Sequence, residues 1–456
     1  MTDPIAGSND APAIPASLNR RELLAATLGA GGIAATGIGT LGVATNAVAQ
    51  GVEPPASSRE LWQWVRTQPV LDLQTAYLDS ATLAPTWRLS MAAEYRARES
   101  QSFDMASVGA DGRWIDETKR LAARFAAFAG CDVDELLFTH GAGEALSSVA
   151  NGLDLAAGDE VITTSQEHPA ALSPWLFLAR RRGVIVKQVV LPTPLTGPEQ
   201  VLGLFAGAVT SKTRAIAFSH VQYHDGALLP VKDLCQFARQ RNIFSVVNGA
   251  QALGMLDVNV QDLGCDFYGA SFHKWVGGCQ GSGMLYVRRE MLDRLWPSLP
   301  RGIDASPPIF VPAEAVGQVG VPAAIHKFGN IVPYLWPALR GGEAALDMHA
   351  QLNRQRIEAR VRELAIYARL RLQQIKGIEL MTPGRPGLWA GILTVRVPGR
   401  SAAELADALA RNARVLVRRL DWPNTTEGAL RISMHIFNSH DDVERLLNGL
   451  QLLVRK

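Results

Sequence analysis

Short apolar runs alternate with helix-length stretches between Leu136 and Arg288, and no other feature narrows the possible folds as far. Leu136-Leu137-Phe138 leads into a helical stretch over 144–153, and Glu160-Val161-Ile162-Thr163 leads into another over 170–182. Residues 184–191, 213–219, 243–247 and 283–288 add four apolar runs, with a helix over 231–241 between two of them. A strand that is apolar throughout is buried on both faces, and strands joined by helices run parallel. The pattern therefore predicts a mainly parallel sheet between two layers of helices. After about Pro333 a long charged helical region, 341–375, leads to strands over 392–397, 415–417 and 430–433 and to helices over 402–411 and 440–454. Ser439, with Asp442 three residues on, marks the start of the last helix. The expectation is an α/β chain with a large domain over 76–330, a smaller C-terminal α/β domain over 331–456 and an N-terminal segment over 50–75.

Two apolar runs end in segments that carry chemistry, Asn248-Gly249-Ala250-Gln251 and Ser271-Phe272-His273-Lys274-Trp275. A lysine at the end of a buried strand cannot easily reach water. Burial disfavours its ammonium form and lowers its pKa, the condition an amine needs to form a Schiff base with a carbonyl compound. Upstream, Thr139-His140-Gly141-Ala142-Gly143-Glu144 is a strand-to-helix turn whose small residues let backbone amides approach an anion. Glu167-His168-Pro169 follows another strand, and Arg431 interrupts an apolar strand with a guanidinium suited to a carboxylate. A carbonyl, a ring and a phosphate, each with a holder, describe pyridoxal phosphate.

On these residues the chain resembles the class V aminotransferase family of fold-type I enzymes, above all its isopenicillin N epimerase-like branch, whose pattern is Asp-Gly-Ala-Gln followed by Ser-x-His-Lys-Trp. The resemblance covers about residues 75 to 455. It implies the fold-type I pyridoxal phosphate-dependent transferase fold, a homodimer, and Lys274 as the Schiff-base lysine. It assigns the phosphate to Gly141, Ala142 and Gly143, with Ser271 and His273 as further donors. The family turn here is of the Gly-Thr-Thr-Glu type, so Gly143 replaces a threonine. His168 is expected to stack on the ring, and Gln251 to hydrogen-bond the ring hydroxyl. Lys327-Phe328-Gly329-Asn330 falls where the family has Gly-Thr, which makes Asn330 the donor to the phosphate of the partner subunit. The segment from Arg431 to Asn438 resembles the family's Arg-x-Ser-x-x-x-Tyr-Asn, with Phe437 for the tyrosine, and makes Arg431 the holder of a substrate carboxylate. Tyr77 to Thr82 matches a loop that closes over the site, bringing Ser80 and Ala81 to the substrate. Tyr223 and His224 are expected at the pocket mouth, either as a proton donor. No metal is expected: His220, His224 and Asp225 follow a strand and no third cluster joins them.

Asn248 stands where the family carries aspartate. That aspartate keeps the ring nitrogen protonated; at roughly 4 Å and an effective dielectric near 20 such a pair is worth about 4 kcal/mol, or about three pKa units. Asparagine can hydrogen-bond the nitrogen but cannot hold its proton by charge, so the ring is expected to be largely neutral at pH 7. Desulfurases of the family carry a nucleophilic cysteine shortly before the arginine, and Arg418 to Asn424 contains none. The expected function is an enzyme that acts at the Cα of an amino acid or of an amino-acid side chain in a peptide-like metabolite. Its alternatives are a non-catalytic binding protein on the same fold and an oxidative decarboxylation favoured by Asn248. Racemisation, transamination, decarboxylation and elimination all start by loosening one Cα bond, so the motifs do not choose between them.

The chain opens on a polar leader ending at Asn19-Arg20-Arg21-Glu22-Leu23-Leu24, then a weakly hydrophobic stretch rich in Ala, Gly and Thr, then Ala47-Val48-Ala49. This reads as a twin-arginine export signal over 1–49 with an A-x-A cleavage site, and implies the twin-arginine translocation machinery as a partner and a periplasmic or secreted location. Export of an already folded protein suits an enzyme loaded with its cofactor beforehand. A net charge of +2 gives no electrostatic case for nucleic acid. The four cysteines, Cys131, Cys235, Cys265 and Cys279, are too far apart for a CxxC pair and read as small core residues, Cys279 being close to Lys274 in sequence.

Overall fold

The structure, a computed structural model, describes residues 58–104, 113–298, 327–328, 332–423 and 425–455. The expected signal over 1–49 and Asn330 lie outside the described residues. A two-residue strand β1 (Ala76–Tyr77) precedes the main sheet, which is built from β2 (Leu136–Thr139), β3 (Glu160–Thr164), β4 (Ile185–Val189), β5 (Thr213–Ser219), β6 (Phe244–Asn248), β7 (Phe267–Ser271) and β8 (Gly283–Val287). Their order is β2-β8-β7-β6-β5-β3-β4. Every pairing among β3 to β7 is parallel, and only β8 runs against its neighbours.

Alternate residues of each strand enter different cores, as the two-residue side-chain period demands. Val161, Ala215, Ala217, Val246 and Phe267 pack on one face under helices Ala142–Gly152 and Pro169–Arg182. Ile162, Ile216, Phe218, Val247 and Tyr268 pack on the other with Phe125, Phe205 and Leu234. Full burial on both faces is why β7 and β8 carry no charged residue and β3 carries one, Glu160 at its start.

Five further strands follow: β9 (Glu379–Leu380), β10 (Ile392–Arg396), β11 (Val415–Leu416), β12 (Arg418–Leu420) and β13 (Ala429–Ser433). Four of them form an antiparallel sheet in the order β12-β13-β10-β9, with its own core of Leu393, Val395, Leu430 and Ile432 against Leu364, Leu405 and Leu446. Where the sequence suggested one C-terminal strand over 415–417, β11 leaves this sheet to pair parallel with β1, so the start of the fold is tied to its end. The charged region over 341–375 is two helices, Val332–Leu352 and Arg354–Leu372. They break at Asn353, which adopts φ +67° and accepts from the amides of Gln355 and Arg356. Helices that the sequence reading lacked include Ser58–Arg66, Arg88–Phe103, Arg113–Ala129 and Pro198–Ala208. The last helix, His440–Val454, starts where expected: Ser439 and Asp442 form a reciprocal capping box, and Asp442 also pairs with Arg66.

Candidate active site

Parallel strands end at the same edge of a sheet, and that edge is where crevices form. Thr164, Ser219, Asn248 and Ser271 close β3, β5, β6 and β7, and Thr139 closes β2 beside them. A cavity of about 390 Å³ opens there. Its walls include Lys274, Gly141, Ala142, Gly143, His168, Tyr223, Asn248, Gln251, Ser271 and His273, so ten predicted residues from five separate chain segments converge.

The anion-binding end is the helix that starts at Ala142. Gly141 takes φ +156°, and a Cβ on it would sit 3.2 Å from the Ser271 hydroxyl. The first-turn amides of a helix have no acceptor within it. The Ala142 amide donates to Ser271 Oγ at 2.9 Å, which leaves the Ser271 hydroxyl hydrogen and the following amides for an anion. The His140 amide and ring both meet Glu144, at 2.7 and 2.6 Å, and hold the turn from outside.

Lys274 lies at the other end. Burial pushes its pKa down to about 8, the Arg431 charge adds to this, and Asp79 opposes it. Its neighbours clamp the segment. Trp275 donates to Gln251 Oε1 at 2.8 Å and stacks on His435, while His435 and His349 reach the carbonyls of Trp275 and Val276 at 3.1 Å. Gln251 in turn donates to the Ala81 carbonyl at 2.8 Å. The turn from Asn248 to Gln251 needs Gly249, because a Cβ there would fall 1.9 Å from the Tyr268 ring.

His168 caps helix Pro169–Arg182. Its Nδ1 accepts from the Ala170 amide at 3.1 Å, and burial, followed by the charges of Lys274 and Arg431, pushes its pKa to about 4. The imidazole is thus neutral above pH 5, with its proton on Nε2, and meets Tyr223 edge-on at 5.0 Å. His273 is likewise pushed to about 4 by burial, and its buried Nδ1 has no partner among the described residues. An orphaned ring nitrogen, a glycine cradle, open amides and an amine of lowered pKa are the groups that a phosphate-bearing aldehyde requires. The residues present fit pyridoxal phosphate.

Arg431 is buried behind Thr82 and Tyr223 and does not itself line the cavity. One Nη donates to Asp79 at 2.9 Å and Thr82 at 2.6 Å, the other to the Tyr223 carbonyl at 3.2 Å, and the buried Nε has no partner. An incoming carboxylate would therefore meet a guanidinium that Asp79 already neutralises, a partner that sequence reasoning missed. Ser80 and Ala81 are buried beside the cavity and off its wall. His224 also stands off it: the ring stacks on Trp422 at 4.2 Å, and Nε2 reaches the Asp421 carbonyl at 3.0 Å. His220 is held by the Tyr268 hydroxyl at 3.1 Å. A second cavity of about 880 Å³ shares His168 and Tyr223 with the first and is walled by Arg418, Arg419 and Trp422. The other residue missed is Glu167. Its buried carboxylate accepts from the Ser219 amide and hydroxyl, Thr164 and Gln222. An acid at the end of an apolar strand, next to His168, was the available signal.

Residues 76–446 match the family described as Aminotransferase class-V. Isopenicillin N epimerase of Amycolatopsis lactamdurans is 32% identical over 345 residues, 72% of this chain and 83% of that one. A probable cysteine desulfurase of Halalkalibacterium halodurans is 26% identical over 411 residues, 84% of this chain and 95% of its own. Among solved structures, a variant of C-DES with glycine covalently linked to its pyridoxal phosphate cofactor shares the fold at a TM-score of 0.73 and 18% identity, covering 87% of this chain and 99% of that one.

Proposed function

This chain belongs to the aminotransferase class V family, and from that premise we propose that it is an enzyme acting at the Cα of an amino acid or of an amino-acid side chain in a peptide-like metabolite. Its cofactor is pyridoxal phosphate, which when bound withdraws electrons from the Cα bond being broken. The observation that carries the proposal is Lys274, an amine held near a pKa of 8 on the wall of a cavity whose opposite end is a helix N-terminus. Gly141, Ala142, Gly143, Ser271 and His273 would hold the phosphate, His168 the ring face, and Asn248 and Gln251 the ring edge. With the cofactor held there, Lys274 would be the base that removes and returns the Cα proton. Arg431 would bind the substrate carboxylate through its free Nε and an Nη, with Asp79 giving way.

Placement of sulfur speaks against desulfuration. All four cysteines stand away from the cavity wall; Cys279 points to the Ser90 carbonyl at 3.7 Å, and burial raises its pKa. Export through the twin-arginine pathway, the division at residue 330 and a homodimer completed by Asn330 belong to the same proposal.

Loading the purified protein with pyridoxal phosphate is expected to give a visible absorbance band, and borohydride reduction followed by peptide mapping to place the label on Lys274. A panel of L- and D-amino acids and short peptides, with and without oxygen, then reads the reaction. Absence of the band, or a label on another lysine, would sink the proposal.

A further inference from the structure

Asn248 offers the cavity an amide with two unlike ends, and which end faces inward decides what it can do. Its Oδ1 accepts from the Ala250 amide at 3.2 Å, and its Nδ2 donates to Ser219 Oγ at 3.1 Å. Ser219 has one hydroxyl hydrogen, which goes to Glu167 at 2.6 Å; burial raises the pKa of that carboxyl, and the bonds it accepts from the Ser219 hydroxyl and amide, Thr164 and Gln222 oppose the rise. With its hydrogen committed, the Ser219 oxygen can only accept, so it selects the NH2 end of Asn248. The Ala250 amide can only donate, so it selects the oxygen end. The two anchors agree, and the remaining N–H of Asn248 is left for the cavity that it lines. Glu167 itself is fixed: Oε1 accepts from the Ser219 amide at 2.8 Å, Thr164 at 3.0 Å and Gln222 at 3.3 Å, which turns Oε2 toward the Ser219 hydroxyl.

We propose that Glu167 is a positioning residue which, through Ser219, presents an Asn248 N–H to the ring nitrogen of the cofactor, so that this nitrogen works unprotonated. The inference rests on the pyridoxal phosphate reading above. Glu167 does not line the cavity and acts only through the hydroxyl and the amide in front of it. A donor aimed at the nitrogen stabilises its neutral form, as a carboxylate would stabilise the protonated one. Asn248 is on this view a set part of the site and needs the buried acid behind it.

The test is the ring-nitrogen chemical shift of protein loaded with 15N-labelled pyridoxal phosphate, followed against pH. The parent is expected to keep the unprotonated shift across neutrality. Ser219→Ala and Glu167→Gln release the amide, so the protonation midpoint should rise by about one pH unit or more. Ser219→Thr restores the hydroxyl and should return the parent titration. Thr164→Val removes a donor from Glu167 without touching the Ser219 side and should lower the melting temperature with no change at the nitrogen. If Ser219→Ala binds the cofactor and titrates like the parent, the relay is overturned while the cofactor assignment stands. A parent that takes up no cofactor overturns both, and a protonated nitrogen in the loaded parent overturns the relay alone. Should Glu167→Gln fail to fold, the Ser219 pair decides.

Discussion

An amine at pKa about 8 is half neutral one unit above physiological pH, where an ordinary lysine is almost wholly charged. The sign follows from burial: the folded protein disfavours the ammonium form, so reactivity grows as pH rises through 8 and not through 10.5. Loading of the cofactor-free protein should accelerate with a midpoint near pH 8, read by the rate at which the visible band appears; a midpoint near 10 would contradict the depression. Arg431 makes a second prediction. Arg431→Gln removes a charge-assisted bidentate partner worth on the order of 2–3 kcal/mol, so kcat/KM should fall about 30–150-fold. Cofactor affinity should stay nearly constant, because Arg431 does not line the cofactor cavity. Asn248→Asp tests the relay from the opposite side. It places a second carboxylate against Ser219, whose one hydroxyl hydrogen cannot serve both it and Glu167. One acid must then take up a proton. Asn248→Asp alone should lower stability, and Glu167→Gln added to it should restore part of the loss, measured by urea unfolding.

At the scale of elements, the strands that build the site were legible because burial on both faces leaves an unbroken apolar signature, as in Val161-Ile162-Thr163 and Val246-Val247. Their ends were legible too, since Asn248, Ser271 and Lys274 are polar residues that such a strand has no other reason to carry. Strands of two or three residues, β1, β9 and β12, leave no such pattern; β11 was legible within 415–417, but its pairing with β1, more than 300 positions away in the chain, was not. Distance in sequence also hid Asp79, 352 residues from Arg431, and the relay from Glu167 to Asn248, which crosses three strand ends. His224 was misplaced because a turn, unlike a strand, does not fix which side a residue faces. The last helix offers a test of its own. Asp442 is buried, which by itself would raise its pKa, but Arg66, the Ser439 amide and Arg445 hold it below the usual 3.8. A depressed carboxyl adds stability that is present above pH 3.8 and is lost as pH falls through the lower folded value. Asp442→Asn should therefore cost about 2–4 kcal/mol at pH 7, and the difference from the parent should shrink in acid, measured by denaturant unfolding across pH.

Over the whole molecule, the cavity draws on both ends of the described chain: Ala81 holds Gln251, and Arg431 enters through Thr82 and Tyr223. A site assembled this way exists only in the folded protein, so a ligand that binds it stabilises the whole fold. Saturation at about 100 times Kd adds about 2.7 kcal/mol. Under the proposed twin-arginine export, that coupling would give the arginine pair Arg20-Arg21 a physical purpose. A translocation route that accepts folded protein lets the cofactor be captured where it is available, whereas a route that threads an unfolded chain would deliver an empty one. The protein expressed in a bacterium with this pathway should accumulate outside the cytoplasm, begin at Gln50 by mass, and carry the visible band when isolated. Arg20→Lys with Arg21→Lys keeps the charge and removes the recognised pair, so it should leave full-length protein, still loaded, in the cytoplasm. Lys274→Ala discriminates further: if a filled site is what makes the chain fit for export, this variant should be exported less than the parent and recover when its fold is stabilised by other means. Equal export of the arginine-pair variant and the parent would remove the twin-arginine assignment without touching the cofactor chemistry.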